Sequence, residues 1–200
     1  MSTEQIGIWK SGFGDQYTDR NNFDSSIRQK SWGEMTNSLN LRSILEVGCN
    51  RGKNLECLKK SKPNANIMGC EPNKYAFDLC KNLDKFKVFN CDAFSIPLAD
   101  SSVDLVFTSN VLIHISLEDL PRAMKEIYRI SSKYILCIEY VDNQETNIHY
   151  RGHDNALWKR NFQKHYENTF PDLKLVASGF WDWDSGGFDD SNWYLWEKNV

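Results

Sequence analysis

Apolar residues recur along this chain in two rhythms. Short, mostly apolar runs at 44–47, 66–70, 87–90, 103–107 and 134–141 have the length and β-branched content of buried strands. Between them the spacing becomes helical, from about Asn54 and again over 117–131. That last helix opens near Ser116, with Glu118 and Asp119 in its first turn, where carboxylates suit the free N–H groups. Pro121 at the edge of the turn allows the regular helix to begin later. Strand and helix in alternation predict an α/β fold, a Rossmann-like and mostly parallel sheet, over 41–141.

The flanks read differently. Residues 1–40 predict an N-terminal helical cap, since Ile6, Trp9, Phe13 and Tyr17 recur at helical spacing despite Gly7, Gly12 and Gly14. A second helix over 25–39 carries Ile27, Trp32, Met35 and Leu39. The cap either buries one edge of the sheet or forms a lid over its open end. In the ending, 142–200, residues 142–155 read as irregular and polar, and 156–169 as a helix with Leu157, Trp158, Phe162 and Tyr166 on one side. Residues 173–181 and 192–198 read as two strands joined through Gly186 and Gly187, in a solvated hairpin. The acidic patch at 182–187 fails as a calcium loop, because Gly186 and Trp193 occupy its fifth and twelfth positions. The whole, 1–200, is expected to be one domain.

Composition narrows the class of protein. A net charge of -3 and scattered lysines and arginines argue against a grip on nucleic-acid phosphates. The six cysteines never form C-x-x-C and lie mostly inside predicted elements, which reads as reduced thiols and neither a disulfide frame nor a metal site. No stretch is apolar enough to span a bilayer and the first ten residues lack a signal core, so the expectation is a cytoplasmic protein without a membrane partner.

The chemistry concentrates in Ile-Leu-Glu-Val-Gly-Cys-Asn-Arg-Gly at 44–52. Gly48 and Gly52 can turn the chain sharply at the carboxyl end of the first strand and let a ligand approach the backbone. A pyrophosphate binder needs G-x-G-x-x-G, whereas Cys49 and Asn50 follow Gly48; a P-loop needs a lysine before serine or threonine, which is absent. Glu46 would repel a pyrophosphate and suit a cation. Glu-Val-Gly-Cys-Asn-Arg-Gly resembles the first motif of the class I S-adenosylmethionine-dependent methyltransferases, (E/D)-x-G-x-G-x-G, with its middle glycine missing. The resemblance implies S-adenosyl-L-methionine as cofactor, S-adenosyl-L-homocysteine as product, and a sheet closed by an antiparallel C-terminal strand.

Downstream residues extend the expected cofactor site. Glu71, at the tip of the second strand, reaches both ribose hydroxyls. Asp92 follows the third strand and accepts from the adenine amino group, with the backbone beside it at Ala93 reading a ring nitrogen. Asn50, Pro72, Asn110 and Val111 complete the strand ends. In the lid reading, Tyr17 and Arg20 approach the methionine carboxylate.

Two clusters concern the methyl acceptor. Thr108-Ser109-Asn110-Val111 lacks the (N/D)-P-P-(Y/F) of base-amine methyltransferases, and Val111-Leu112-Ile113-His114 is similar to the stretch in small-molecule enzymes of this fold. His114 is either a helix-capping or core residue, or it faces the cleft and holds or deprotonates an amine or hydroxyl. Tyr150-Arg151-Gly152-His153 is either a surface loop or a seat for an anionic, hydroxyl-rich ligand, with His153 a second candidate base.

The ends, Trp9…Gly12-Phe13-Gly14…Tyr17…Arg20-Asn21 and Tyr150-Arg151-Gly152-His153…Leu157-Trp158-Lys159-Arg160…Phe162, with Trp193…Glu197-Lys198, resemble the pseudaminic acid biosynthesis-associated methylases. That resemblance implies a sugar or nucleotide-sugar intermediate of surface nonulosonic acid biosynthesis as acceptor. An amino acid or another small metabolite is the alternative, and a non-catalytic cofactor-binding module a third. Oligomeric state stays open. Five of the seven tryptophans lie from Trp158 onward, as packing residues or, for one or two, as a stacking surface for substrate.

Overall fold

The structure, a computed structural model, describes residues 3–199. The apolar runs form β1 (Ser43–Val47), β2 (Asn66–Cys70), β3 (Lys87–Phe89), β4 (Val103–Ser109) and β5 (Ser131–Glu139). A separate hairpin follows, β6 (Thr146–Tyr150) and β7 (His153–Lys159), and then β8 (Leu173–Trp181) and β9 (Ser191–Lys198). Seven of these strands make one sheet, in the order β3-β2-β1-β4-β5-β9-β8. The pairs among β1 to β5 are parallel, and β9 runs against both β5 and β8.

Strands covered on both faces must be apolar at nearly every position. Ile44 packs with Leu58, Phe107 and Leu136 on one face, while Leu45 and Val47 pack with Val106, Ile127 and Trp196 on the other. β1 lies between β2 and β4, so chain connections leave it in opposite directions. The loops at the carboxyl ends of β1 and β4 therefore diverge and leave a crevice, the usual ligand position in such sheets.

The cap divides into two parts. α1 (Glu4–Trp9) and α2 (Gly12–Arg20) lie at the open end of the sheet, where Asn73 Nδ2 donates to Trp9 O at 3.0 Å. Ser11 separates them by capping α2, accepting from Phe13 N at 3.3 Å. A 3-10 turn, Ser25–Arg28, leads into α3 (Gln29–Thr36), which is the buried part, with Trp32 and Met35 against the sheet. α4 (Lys53–Ser61) and α5 (Lys74–Lys81) are the first two crossovers. α6 (Leu120–Ile130) lays Leu120, Ala123, Met124 and Ile127 on the sheet as a single stripe. It starts later than the 117–131 pattern because Pro121, lacking an N–H, belongs in the first turn.

The ending departs from the sequence reading in two places. Residues 142–155 are not irregular throughout, and 156–159 are not helical: both contribute to the β6–β7 hairpin. Its turn is Arg151 (φ 49°) and Gly152 (φ 86°), with Tyr150 opposite His153. A two-residue turn with both φ values positive matches the twist of the flanking strands, and glycine takes the second place without strain. The helix, α7 (Phe162–Thr169), begins only after Asn161, whose side chain accepts from Lys164 N at 2.9 Å. Phe162 and Tyr166 remain its buried side. The segment over 182–187 is no solvated hairpin: it holds a one-turn helix, α8 (Trp183–Gly186), with an Asp182–Ser185 capping box. The residue after that segment, Phe188, is fully buried.

The position of the α7 cap is testable. Asn161→Ala should lower stability by about 1 kcal/mol, the usual effect of removing an N-cap. Urea denaturation measures this; an unchanged midpoint would place the helix start elsewhere.

Candidate functional site

The crevice is assembled from backbone amides bound by buried carboxylates. Gly48 has φ 78°, and a Cβ there would lie 2.5 Å from Val111 Cγ2, so only glycine fits. Gly48 N and Cys49 N both donate to Cys70 O, at 2.8 and 3.0 Å, tying this loop to the end of β2. The next residue takes the tie further: Asn50 N donates to Glu71 Oε2 at 2.7 Å, while Asn73 N donates to Glu71 Oε1 at 2.8 Å. Burial pushes the Glu71 carboxyl up to about 7 against the pull of these two amides.

Glu46, near the end of β1, is 2 % exposed. Its Oε1 accepts from Asn54 Nδ2 at 2.6 Å, and Oε2 has no hydrogen-bond partner among the described residues. Burial pushes this carboxyl up to about 8. Arg28 comes from the cap to the same place. Its Nη1 donates to Asn54 Oδ1 at 2.9 Å and its Nε to Gly187 O at 2.8 Å, with the guanidinium between the rings of Phe23 and Phe188.

The third carboxylate, Glu139 at the end of β5, accepts from Val111 N, Leu112 N and Ile113 N at 3.1 to 3.2 Å. This shapes the turn that delivers His114. His114 Nδ1 lies 2.6 Å from Ala156 O, so the ring carries its proton there and leaves Nε2 as an acceptor. Burial lowers this imidazole to about 4, and the Trp9 ring packs on it at 4.5 Å between centroids. His114 is neutral at physiological pH: it can accept an N–H or O–H hydrogen but retains a proton poorly.

Ten of the residues marked in the sequence line one cleft, with about 1170 Å³ of empty space including its mouth: Tyr17, Glu46, Gly48, Asn50, Glu71, Pro72, Ala93, Asn110, Val111 and His114. A second cavity of about 590 Å³ adjoins it, lined by Arg20, Tyr150, Arg151, Tyr140, Ile113 and Leu157 among others. Tyr17, Asn21, Asn110, His114 and Asp189 line both.

Four of the residues marked in the sequence lie outside the first cleft. Arg20 lines the second cavity only, while Arg28 lines the first. Gly52 is the left-handed residue before α4 and backs onto Cys80, away from the cleft. Asp92 accepts from Phe94 N at 3.2 Å and pairs with Lys10 at 3.5 Å, leaving the wall to Ala93 and Phe94. His153 lines neither cavity; its ring packs on Phe13 at 5.0 Å. Arg28, Asn54 and Asp189 were missed, and spacing held no signal for them, because partners remote in the chain bring each one in. Of the tail tryptophans, Trp158, Trp181, Trp193 and Trp196 are buried, Trp183 is exposed, and none lines either cavity. Among the described residues no group of three or more His, Cys, Asp or Glu side chains could hold a metal ion, and no helix is long and apolar enough to cross a membrane.

Residues 45–134 match the family described as "Methyltransferase domain". The chain is similar in fold to the 1,6-didemethyltoxoflavin-N1-methyltransferase of Burkholderia thailandensis, solved with S-adenosylhomocysteine: TM-score 0.74, 10% identity, covering 100% of this chain and 92% of that one. A SAM dependent methyltransferase from Archaeoglobus fulgidus gives TM-score 0.68 at 14% identity, covering 93% and 100%. In sequence, the chain is 26% identical over 147 residues to a tRNA (carboxymethyluridine(34)-5-O)-methyltransferase of Macaca fascicularis, covering 68% of this chain. It is 30% identical over 110 residues to an uncharacterized methyltransferase of Schizosaccharomyces pombe, covering 48% of this chain. The matched regions span 21% and 39% of those two relatives.

The residues present fit S-adenosylmethionine. The orphaned Glu46 Oε2 calls for a cation, which the ligand's ammonium supplies. Arg28, lining the same cleft, suits its carboxylate. Each Glu71 oxygen accepts a single amide and keeps a lone pair for a ribose hydroxyl. A pyrophosphate would face two buried carboxylates instead.

A pH dependence follows. A carboxyl at about 8 is mostly protonated at pH 6 and must ionise to hold an ammonium, so binding releases a proton and tightens as pH rises. S-adenosylhomocysteine affinity should rise roughly fiftyfold from pH 6 to 7, about tenfold of it from Glu46 and about fivefold from Glu71, and level off near 8, where the ligand's own amine begins to lose charge. Glu46→Gln should leave only the shallower slope due to Glu71. Calorimetry across this range checks it, and parallel curves for the two proteins would refute the role of Glu46.

Proposed function

We propose that the protein transfers the methyl group of S-adenosylmethionine to a small polar acceptor bearing an acid group, such as a sugar acid or nucleotide sugar of the nonulosonic class. One observation carries this reading. The second cavity shares five lining residues with the cofactor cleft, and it combines two guanidinium groups, Arg20 and Arg151, with the phenols of Tyr17, Tyr140 and Tyr150. Guanidinium groups suit carboxylate or phosphate, and phenols suit the hydroxyls and ring faces of a sugar. The resemblance of the two ends to the pseudaminic acid-associated methylases supports the same acceptor class.

When bound, the cofactor supplies an electrophilic methyl on a good leaving group. The chain's own part is therefore mainly alignment. Glu46, Arg28 and Glu71 fix one partner, and Arg20 and Arg151 hold the acid group of the other. His114, neutral and with Nε2 bare, accepts a hydrogen from the reacting atom and turns its lone pair toward the cleft. The relative of Macaca fascicularis is named for a tRNA substrate. Here the net charge is -3, and Arg20 and Arg151 are the cations lining the second cavity, which favours a small molecule over nucleic acid.

Binding is the first test. S-adenosylhomocysteine should raise the melting temperature and NAD should not, and the reverse order would overturn the reading. Glu71→Ala should remain folded yet lose at least about tenfold in affinity, since hydrogen bonds to a charged acceptor are worth roughly 1.5–3 kcal/mol each. A folded variant binding as wild type would refute the assignment.

Turnover is the second. In a screen of nucleotide sugars, sugar acids, free amines and tRNA, sugar derivatives should be methylated. With the acceptor so found, Arg151→Ala should raise KM with little change in cofactor affinity. His114→Ala should mainly lower kcat, by less than the ~10²–10⁴ of full general-base catalysis. Wild-type constants in both variants, or methylation of tRNA alone, would send the acceptor elsewhere.

A further inference from the structure

At the junction of the two cavities stands one anionic group that the sequence did not reveal. Asp189 lies between α8 and β9 and lines both spaces. Its backbone is fixed on either side: Phe188 is fully buried against the Arg28 guanidinium, and the hydroxyl of fully buried Ser191 donates to Asp189 O. The same Ser191 hydroxyl lies 3.3 Å from Asn110 Oδ1, joining this segment to the loop after β4. Tyr140 Oη donates to Asp189 Oδ2 at 2.9 Å. Among the described residues the carboxylate has no ion pair and no second donor, which leaves Oδ1 free. Of the other groups lining both cavities, Tyr17 and His114 are neutral and Asn21 and Asn110 are amides.

A carboxylate that lines both the cofactor cleft and the adjoining cavity, even a solvent-exposed one, discriminates between acceptors. It repels an anionic oxygen and attracts an N–H or O–H. We propose that Asp189, oriented by Tyr140, accepts a hydrogen bond from the atom that receives the methyl group, so that this atom is an amine nitrogen or a hydroxyl oxygen and not a carboxylate oxygen. With His114 Nε2 also an acceptor at the junction, two hydrogens of one amine, or a hydroxyl and its neighbour, can be held together. The lone pair is then left facing the cofactor cleft. This inference rests on the methyltransferase reading above and adds to it the class of the methylated atom.

The test needs no acceptor. Sinefungin carries an amine-bearing carbon where S-adenosylmethionine has its methyl-bearing sulfonium, and so places an N–H donor at the point of transfer. Calorimetry on the whole chain should show sinefungin binding more tightly than S-adenosylhomocysteine. Asp189→Asn should weaken sinefungin by at least about tenfold while moving S-adenosylhomocysteine by less than about threefold, as expected when one charged partner of an amine is neutralised. Tyr140→Phe, which keeps the carboxylate but frees its orientation, should fall between. Equal affinity changes for the two ligands, or none in a folded Asp189→Asn protein, would overturn the proposal. If wild type binds neither ligand, the methyltransferase reading itself fails, and that result is distinct from the others.

Discussion

The bidentate hold of Glu71 on Asn50 N and Asn73 N is the constraint from which the cleft follows. A carboxylate buried at the end of a strand must find donors, and the nearest are the amides of loops that have just left the sheet. The same solution recurs twice. Glu139 collects Val111, Leu112 and Ile113, and Glu46 takes the Asn54 side chain. Loops that would otherwise move are thereby pinned by hydrogen bonds at the carboxyl ends of β1, β2 and β4. Hydrogen bonds of this kind are worth about 1.5–3 kcal/mol, enough to set loop geometry before any ligand arrives.

The arrangement is costly to the free protein. Burial holds Glu46 up to about 8 and Glu71 and Glu139 up to about 7. Each of these groups binds a proton more tightly folded than unfolded. Their contribution to stability therefore falls as pH rises from the unfolded carboxyl value, near 4.3, through 7 to 8, and is not recovered above that. A ligand that brings an ammonium and two hydroxyls removes much of the penalty for Glu46 and Glu71, which gives the cleft a strong preference for being filled. Glu139 lies behind the loop and stays structural, its oxygens already used by three amides.

The sequence disclosed what is local and repetitive. β1 through β5 were legible because each is a short apolar run in an alternating α/β series, and Gly48 because a tight turn beside a strand needs that backbone freedom. Glu71 was legible from its position at a strand tip, although its hold on Asn50 and Asn73 was not. Asp92 looked equivalent to it, yet it turns to Phe94 N and Lys10 and lines neither cavity, a placement that one residue type at one position does not reveal. The β6–β7 hairpin was hidden because Arg151 precedes Gly152 where asparagine or aspartate would have announced the turn. Arg28 and Asp189 were hidden for a different reason: each has a hydrogen-bond partner more than twenty residues away, and spacing carries no information about those.

This difference between core and flanks has a functional counterpart. The cofactor side is built from β1, β2 and the loops after them, within the matched domain at 45–134. Much of the acceptor side is not. Trp9 and Phe13 from one end of the chain pack on His114, Tyr150 and His153, so the α1–α2 pair and the β6–β7 hairpin lean on each other across the mouth. Tyr140 and Asp189 close the same chamber from β5 and the approach to β9. Substitutions in these flanks can change what enters without disturbing the carboxylates that hold the cofactor. Solved structures at 10% to 14% identity share the fold, while most residues lining the second cavity lie in segments that the family pattern does not cover. The second cavity brings together the phenols of Tyr17, Tyr140 and Tyr150, two guanidinium groups and a single carboxylate.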